Sequence, residues 1–278
     1  MNGVISKEWL HQHLNDKNIR VVDCRFNLND AEKGYHEYLQ DHLPGAVYFH
    51  LNKDLSKPVS AHGGRHPLPE MEDFKQTLQQ AGVSKQTVVV VYDHGEGFFA
   101  SRLWWMLHYV GHEKVFVLDG GYYGWKEAGY HVEREIPSYE QTKFEINVNS
   151  EYLASYEQVK KLVENKDEKT ILIDSRDKNR YLGKEELIDL KSGHIPGAIN
   201  KPWMDSYENG LFKPSEEQDK RFEEFDKSTP IIVYCGSGVS AIPNFMALKS
   251  AGYKDVKLYA GSFSDWISYE ENEVETGE

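Results

Sequence analysis

The amino-acid sequence predicts an α/β fold made of two tandem domains, each a mainly parallel sheet flanked by helices. The first observation is a repeat, because residues 88–130 and 231–266 both contain an apolar run, a glycine-bearing loop, a helical stretch, a second apolar run and then Gly, an aromatic residue and Trp. The second is that strand-like runs alternate with helical stretches in both halves, which is typical of a parallel sheet covered on both faces. The third is length, because the 278 residues give each half about 140, enough for a domain with its own core.

Two shorter blocks recur in the same order in both halves. VVDCR at residues 21–25 corresponds to ILIDSR at 171–176, and HLPGA at 42–46 corresponds to HIPGA at 194–198. Three blocks in one order with similar gaps argue against a chance match. A period of about half the chain indicates two copies of one fold rather than a solenoid of short repeats.

The stretch between the two halves is polar, contains Pro137 and lacks a helical period. It therefore predicts a first domain over residues 1–135, a linker over 136–154 and a second domain over 155–278. A second irregular stretch, Leu51–Pro69, contains three prolines and a pair of glycines. Loops of this length are usually functional or mobile.

In the first half, each element follows from a local pattern. Ser6 can cap a helix in which Trp9, Leu10 and Leu14 share one face. The unbroken β-branched run Val88–Tyr92 predicts a buried strand. The remaining predicted elements are strands at 19–22 and 115–118 and helices at 71–81, 98–110 and 122–128.

The second half repeats this order. Ser155 with Gln158 forms a capping-box pattern for a helix that runs to about Asn165. Because ligands bind at the carboxyl ends of parallel strands, Cys235, which directly follows a predicted strand, lies where chemistry is expected. The other predicted elements are strands at 170–174, 231–234 and 256–259 and helices at 216–225, 241–250 and 263–268.

Composition limits the class of protein. The 39% apolar and 28% charged residues are typical of a soluble globular protein, and the net charge of −13 argues against nucleic-acid binding. No apolar run approaches the roughly 20 residues that a membrane-spanning helix needs, and the first residues show no signal-peptide pattern. The sequence therefore predicts a cytoplasmic protein with neither a nucleic-acid nor a membrane partner.

The chain contains two cysteines, Cys24 and Cys235. This count argues against a disulfide framework and against a zinc site built on thiolates. A bridge between the two is disfavoured because the predicted compartment is reducing. No spacing of His and Cys residues brings metal ligands together, so we expect neither a metal nor another cofactor.

Cys235 lies between a strand and a helix, at the start of a glycine-containing loop. Glycine lets the backbone turn so that successive N–H groups point inward, and such a nest at a helix N-terminus holds negative charge. A thiolate there is expected to have a lowered pKa and to be nucleophilic, and the nest would stabilise a persulfide anion in the same way. The alternative is a buried, unreactive cysteine at a strand end. The loop residues are Gly236, Ser237, Gly238, Val239 and Ser240.

Together these motifs resemble those of two-domain rhodanese-type sulfurtransferases over nearly the whole chain. The resemblance rests on the Asp-x-Arg strand ends, the two His-aliphatic-Pro-Gly-Ala motifs and the terminal Gly-Ser-Phe-x-x-Trp. The loop CGSGVSA is similar to CGSGVTA of 3-mercaptopyruvate sulfurtransferases, whereas thiosulfate-preferring members typically carry the basic sequence CRKGVT. Within the family, the chain is therefore more similar to the mercaptopyruvate enzymes, and the resemblance implies two tandem rhodanese-like domains.

The resemblance also implies a ping-pong reaction. A small anionic donor, 3-mercaptopyruvate in preference to thiosulfate, passes sulfane sulfur to Cys235. The resulting persulfide gives it to cyanide or a thiol, with a thioredoxin-like protein as one candidate acceptor. The loop itself has no cation to bind the thiosulfate dianion. Ser237 is a candidate catalytic residue because its hydroxyl suits the carbonyl of mercaptopyruvate; its alternative is a turn residue bonded to its own backbone.

Two further residues are candidates for substrate binding. Arg180 matches the family arginine that binds substrate, and a planar guanidinium suits a carboxylate. His66 matches a histidine that faces the substrate in related enzymes, although a lone histidine on a long loop is more often merely solvated. Arg176, by contrast, is interpreted as pairing with local acids, since the first half keeps its counterpart Arg25.

The chain departs from the mercaptopyruvate enzymes at two positions. Their second substrate arginine, about nine residues after the first, corresponds to a position near Asp189, within Lys184–Lys191. Their first-domain aspartate, proposed to assist proton transfer, corresponds to Asn52, which cannot act as a base, and Asp54 is the available substitute. The sequence alone leaves open what takes over both roles.

The first half has Asp93 where the second has the nucleophile, and this residue is predicted to cap the following helix. Arg102 is expected to support the domain interface, and Trp104 and Trp105 to pack in the core and the interface. Cys24 is interpreted as a small apolar filler. The first half is therefore expected to be a scaffold that closes one side of the active site.

Two other functions are compatible with a reactive cysteine in this setting. A cysteine phosphatase usually needs an arginine at the end of the loop, where Ala241 and Pro243 stand instead. A sulfur carrier or partner-binding module, loaded and unloaded by other proteins, is the alternative to an enzyme because of the missing arginine and aspartate.

Overall fold

The computed structural model describes residues 3–167 and 169–278, which form two similar α/β halves. The strands of the first half are β1 (Val4–Ile5), β2 (Ile19–Asp23), β3 (Val47–Tyr48), β4 (Val88–Tyr92) and β5 (Val115–Leu118). Its helices are α1 (Lys7–His13), α2 (Lys33–Gln40), α3 (Met71–Gln80), α4 (Phe98–Tyr109) and α5 (Gly121–Glu127).

The second half follows the same order and adds one hairpin. Its strands are β6 (Leu153–Ala154), β7 (Ile171–Asp174), β8 (Ile199–Asn200), β9 (Tyr207–Glu208), β10 (Leu211–Phe212), β11 (Ile231–Tyr234) and β12 (Val256–Tyr259). Its helices are α6 (Tyr156–Glu164), α7 (Lys178–Tyr181), α8 (Ser215–Arg221), α9 (Ile242–Ser250) and α10 (Ser262–Trp266). Short 3-10 helices occupy Ser150–Tyr152 and Trp203–Ser206.

Each half is organised around one five-stranded sheet, in which every neighbouring pair of strands is parallel. The strand orders, β1-β5-β4-β2-β3 and β6-β12-β11-β7-β8, are equivalent once the chain order of each half is taken into account. The strand before the predicted nucleophile, β11, and its counterpart β4 both occupy the centre of their sheets. The predicted fold class, two tandem α/β domains with mainly parallel sheets, is confirmed.

Alternation along the central strand decides which way the nucleophile faces. In β11, Ile231 and Val233 join a large apolar core that residues of both halves build, whereas Ile232 and Tyr234 join a smaller core on the outer face of the sheet. The next residue, Cys235, continues the alternation and belongs to the shared core. The period of the strand therefore directs the thiol toward the other domain.

Helices α4 and α9 join the two domains. The ring centroids of Trp104 and Trp105 in α4 lie 6.4 and 6.5 Å from that of Phe245 in α9. All three side chains are buried in the shared core. Their packing confirms that these tryptophans serve the core and the interface, and it fixes one domain against the other by burial of large apolar surfaces.

The predicted strands and the longer helices are present, with bounds close to those expected from the sequence. Ser6 caps α1 by accepting the Trp9 backbone N–H at 3.2 Å, and the capping box at Ser155 is formed. The helix predicted at 216–225 ends early, at Arg221. The sequence prediction omitted α2, α7 and the two-residue strands, because such short elements carry too little periodicity to be recognised.

The segment predicted as a linker is partly built into both domains. Phe144 is buried, and the Thr142 backbone N–H donates to the Gln79 carbonyl at 3.1 Å, so this part lies along the first domain. Leu153–Ala154 forms β6, which pairs with β12, so the second sheet begins two residues inside the proposed linker. The remaining boundaries of the division stay a proposal. Within the described residues, no helix is both long enough and apolar enough to cross a bilayer.

Candidate active site

Cys235 lies at the carboxyl end of β11, directly before the loop that leads to α9. The residue is only 1% exposed, and the loop after it borders a cavity of about 800 Å³ between the two domains. The cavity brings together residues that are distant in sequence, among them Asn52, Arg65 and His66 of the first domain and Arg180, Ser237 and Ser240 of the second. The predicted side chains of Arg180, His66 and Ser237 thus line one cavity, and Cys235 directly precedes the loop that borders it.

Hydrogen bonds to sulfur set the ionisation of Cys235. Burial raises the pKa of the thiol, but the Ser240 hydroxyl and the backbone N–H groups of Ser237, Val239 and Ala241 donate to the sulfur and bring its pKa below the ordinary value. These donors form the inward-facing nest that the glycine pattern predicted. The thiolate therefore persists to lower pH than that of a free cysteine, and the thiolate is the nucleophilic form.

Gly238 gives the loop its shape. Its φ is +74°, in the left-handed region, and a Cβ at this position would lie 2.1 Å from the Ala260 carbonyl oxygen. No side chain fits there without moving the backbone. The glycine therefore allows the loop to pack closely enough for its amides to converge on the sulfur of Cys235.

Ser262 supports Cys235 from the following strand end and was missed by sequence reasoning. Its Oγ accepts the Cys235 backbone N–H at 3.1 Å and lies 4.0 Å from Sγ. Ser262 adopts φ +56°, which is unusual for a residue other than glycine, and the equivalent residue of the first half is Gly121 with φ +52°. The difference between Gly121 and Ser262 was the available signal, because the copy with a strained serine at this position is the one that contains Cys235.

Ser237 and His66 form a hydrogen-bonded pair across the domain interface. Ser237 Oγ and His66 Nδ1 are 2.8 Å apart, and both residues are buried. Burial, together with the charges of Arg102 and Arg65, lowers the pKa of His66 to about 3, so the imidazole is neutral at physiological pH. His66 is thus a buried member of the site and not the solvated loop residue that was its alternative.

Arg102 ties the two sides of the site together. Its guanidinium donates to the carbonyls of Gly238 in the active-site loop at 2.9 Å, His66 at 2.9 Å and Leu55 at 3.2 Å. The residue is fully buried in α4. One planar group therefore holds the loop of the second domain against the histidine-bearing loop of the first, which confirms the expected interface role.

Two arginines lie over the start of the active-site loop, although the loop itself has no cation. A Cβ built on Gly236 would lie 2.7 Å from Nη2 of Arg65 and 3.5 Å from Nη2 of Arg180. Arg180 donates to Asp189 Oδ2 at 2.7 Å and to Glu186 Oε2 at 3.0 Å, and Arg65 pairs with the other oxygen of Asp189. Near the place expected for the second family arginine there is thus a carboxylate, Asp189, and a first-domain arginine lies beside it.

Arg65 reaches the site because its loop crosses to the second domain. The backbone N–H of Gly63 donates to Asp265 at 2.7 Å, and that of Arg65 donates to Ser264 Oγ at 3.1 Å. Gly64 has φ +79°, and a Cβ on it would lie 2.4 Å from the Gly261 carbonyl oxygen. The glycine pair in this long loop was the available sequence signal, because it permits close contact with α10.

Asn52 and Asp54, the two first-domain residues considered in place of the family aspartate, have different surroundings. Asn52 borders the cavity. Asp54 accepts the His50 backbone N–H at 2.6 Å, so its carboxylate is held within its own turn.

Cys24 is buried in the shared core, and burial together with Asp23 and other carboxylates raises the pKa of its thiol, in contrast to Cys235. The interpretation of Cys24 as an unreactive filler agrees with this environment.

Comparison with known proteins identifies the family. A model of the rhodanese-like domain matches the chain twice, over residues 6–128 and 155–269. The chain belongs to the rhodanese-like family. Each match covers four of the five strands of one parallel sheet, so the internal repeat seen in the sequence is a pair of rhodanese-like domains.

Relatives of the whole chain are sulfurtransferases. A probable 3-mercaptopyruvate sulfurtransferase of Pseudomonas aeruginosa is 36% identical, over 99% of this chain and 98% of its own. A thiosulfate sulfurtransferase of Bos taurus is 34% identical, over 95% and 92%. The crystal structure of SseA from Escherichia coli, described as a 3-mercaptopyruvate sulfotransferase with the rhodanese fold, matches with a TM-score of 0.84 at 33% identity, over 95% of this chain and 100% of that one. The predicted resemblance and the predicted enzyme class, sulfurtransferase, are confirmed.

The rhodanese-like domain without the nucleophile contains an equivalent anion cradle that is already filled. Asp93 accepts the backbone N–H groups of Gly95 and Gly97 on one oxygen, both at 2.9 Å. Its other oxygen accepts those of Phe99 and Ala100 in the first turn of α4, at 3.0 and 3.1 Å, so the predicted cap is confirmed. The same loop position thus holds a carboxyl group in one domain and a thiol in the other, each facing backbone N–H groups; at Asp93, burial outweighs these hydrogen bonds and raises the pKa of the carboxyl group.

The repeated motifs are explained as architecture common to both rhodanese-like domains. Arg25 pairs with Asp23 at 2.7 Å, and Arg176 pairs with Asp174 at 2.6 Å. His42 and His194 each bond a backbone carbonyl through Nδ1 at 2.8 Å. Because the domain without the nucleophile keeps every one of these contacts, they support the fold rather than the chemistry, as the sequence indicated.

Proposed function

We propose that this protein transfers sulfane sulfur from 3-mercaptopyruvate, through a persulfide on Cys235, to cyanide or a thiol. The single observation that carries the proposal is the nest of donors around the Cys235 sulfur, which lowers the pKa of the thiol although the residue is buried. A cradle for one anion on sulfur suits both the thiolate that attacks and the persulfide that results. The uncharged loop supports this donor over thiosulfate, whereas the relatives include enzymes named for either donor.

In the first half-reaction, the Cys235 thiolate attacks the sulfur of mercaptopyruvate. A sulfur–sulfur bond forms, the carbon–sulfur bond breaks, and its electron pair passes to the three-carbon fragment as the enolate of pyruvate. The proton carried by the donor's thiol moves to the enolate carbon. The products are pyruvate and the persulfide anion, which stays in the nest that held the thiolate.

Ser237 and His66 are proposed to stabilise the developing enolate. With a neutral imidazole protonated on Nδ1, the ring donates to Ser237 Oγ and leaves the serine hydroxyl proton free for the donor's carbonyl oxygen. A donor placed where charge develops is the usual basis of oxyanion stabilisation. His66 then acts by orienting Ser237, and Arg180 by binding the carboxylate of the donor.

In the second half-reaction, the acceptor attacks the outer sulfur of the persulfide. Cyanide leaves as thiocyanate, or a thiolate leaves as a new persulfide, and the Cys235 thiolate is regenerated in either case. A small thiol or a thioredoxin-like protein is the proposed acceptor. We also propose a cytoplasmic location, which is supported by the two free cysteines because thiols persist in reducing compartments.

The decisive experiment is mass spectrometry of the purified protein after exposure to mercaptopyruvate, combined with a steady-state assay. We expect one additional sulfur atom on the Cys235 peptide, and pyruvate release when cyanide or a thiol is supplied. A protein that gains sulfur only from another protein, and turns over neither mercaptopyruvate nor thiosulfate, would be a carrier and would refute the proposed activity.

The two cysteines provide a matched pair of variants for this experiment. Cys235→Ser should lose both the adduct and turnover with either donor, whereas Cys24→Ala should retain both. Equal loss in the two variants, with both folded by circular dichroism, would show that the reactive thiol has been assigned to the wrong residue.

A further inference from the structure

A carboxylate of the protein lies between the two arginines that face the active-site loop. Asp189 Oδ2 accepts from Arg180 at 2.7 Å, and Asp189 Oδ1 pairs with Arg65. The Asp189 side chain is 1% exposed, whereas those of Arg65 and Arg180 are 32% and 20% exposed. The arginines therefore keep a face toward the cavity, and the aspartate is held behind them.

The formal charges at this end of the cavity cancel. Arg180 also bonds Glu186 at 3.0 Å, and Glu186 in turn contacts Arg176 at 3.3 Å. Arg176 is paired with Asp174. Three arginines thus face three carboxylates, namely Arg65, Arg176 and Arg180 against Asp174, Glu186 and Asp189. The nearby Cys235 thiolate adds one negative charge, and the buried guanidinium of Arg102, which donates to backbone carbonyls, adds one positive charge, so the formal charges of the ligand-free site cancel.

We propose that Asp189 determines donor selectivity by removing one unit of positive charge from the Arg65–Arg180 pair, so that the site binds monoanionic donors in preference to dianionic ones. Arg65, supplied by the first domain, is the second anion-binding cation of the site. The inference rests on the proposed function for the identity of the donors, and it adds the residues that choose between them.

The physical basis is that the Coulomb energy of a bound ion scales with its charge. Removing the charge of Asp189 strengthens the attraction for a dianion such as thiosulfate twice as much as for a monoanion such as mercaptopyruvate. A gain of about threefold to tenfold in the affinity for a monoanion therefore corresponds to its square, about tenfold to a hundredfold, for a dianion. Removing the charge of Arg65 acts in the opposite direction, with the larger loss for the dianion.

The test compares Asp189→Asn with Glu185→Gln, a matched control in which an exposed carboxylate of the same segment loses the same charge. For each, kcat/KM is measured with thiosulfate and with mercaptopyruvate. We expect Asp189→Asn to shift the ratio toward thiosulfate by about threefold to tenfold and Glu185→Gln to leave it unchanged. An unchanged ratio in Asp189→Asn, or an equal shift in the control, overturns the proposal.

A second pair of variants means that the test does not depend on whether any one variant folds. A second readout means that it does not depend on turnover. Arg65→Met should move the ratio toward mercaptopyruvate, and Arg65→Lys should restore most of it. Isothermal titration with pyruvate and with sulfate, as monoanionic and dianionic probes, should show the same order of preference in each variant. If the protein turns over neither donor, the proposed function fails, while these titrations still decide the role of Asp189. Equal changes in the affinities for pyruvate and sulfate in Asp189→Asn would refute that role.

Discussion

Replacing Ser240 by alanine removes its hydroxyl, which donates a hydrogen bond to the Cys235 sulfur, and leaves the backbone N–H groups of Ser237, Val239 and Ala241 in place. A hydrogen bond to a charged group contributes about 1.5–3 kcal/mol. At about 1.4 kcal/mol for each factor of ten, the ionisation constant of the thiol should fall by about tenfold to a hundredfold. Because the thiolate form loses stabilisation and the thiol form does not, the pKa of Cys235 moves upward.

The titration is best followed by the ultraviolet absorbance of the thiolate in a Cys24→Ala background, so that a single thiol contributes. Cys24→Ala/Cys235→Ser serves as the blank, because the tyrosines also absorb. In the parent protein, the thiolate signal should persist to lower pH than in a free cysteine, and in the Ser240→Ala variant it should disappear at higher pH than in the parent. The midpoint is more informative than a reaction rate, since the nucleophilicity of a thiolate changes with its pKa.

Ser237→Ala is the matched control, because Ser237 bonds the sulfur through its backbone N–H while its hydroxyl contacts His66. This variant should keep the parental midpoint and lose activity with mercaptopyruvate. A midpoint in Ser240→Ala equal to that of the parent would refute the reasoning that hydrogen bonds in the nest set the ionisation of Cys235. So would a parental midpoint equal to that of a free cysteine.

Three further outcomes are expected. Arg180→Met should raise KM for an anionic donor about tenfold to a hundredfold through loss of a charged hydrogen bond, while Lys178→Met on the same helix should not. A KM in Arg180→Met equal to that of the parent protein would remove Arg180 from the site. Asp93→Ala leaves four backbone donors without their carboxylate and should lower the free energy of unfolding by about 3 kcal/mol or more in a denaturant titration, whereas Glu96→Ala on the same loop should have little effect. Arg102→Lys should lower kcat about tenfold and speed amide hydrogen exchange in the active-site loop, because the single ammonium nitrogen cannot occupy the separate positions from which Nη1 and Nη2 contact three carbonyls; parental exchange would contradict this.

The sequence predicted the fold and the nucleophile because their signals are local. Apolar runs and capping residues gave the strands and helices, and the duplication supplied a comparison within one chain. Cys235 stood out because the matching position holds Asp93, and the motifs common to both copies could be assigned to the fold. The two copies also differ after their last strands, where Gly121 corresponds to Ser262, and this difference is the local signal for Ser262.

The tertiary structure decided how the site obtains its charge. Arg65 and Asp189 are 124 residues apart in sequence, and they meet because a long loop crosses from the first domain to the second. From the sequence, the missing second arginine falls only near Asp189, and no local pattern marks Arg65.

The sequence by itself determined two parallel α/β domains and the position of Cys235, the proposed nucleophile, at the start of a glycine-containing loop, because strand period and loop composition act over a few residues. Only the tertiary structure decided that Ser237 meets His66, that Arg102 holds the loop, and that Asp189 lies between two arginines. Those contacts depend on the relative position of the domains, which is fixed by the burial of apolar side chains between α4 and α9.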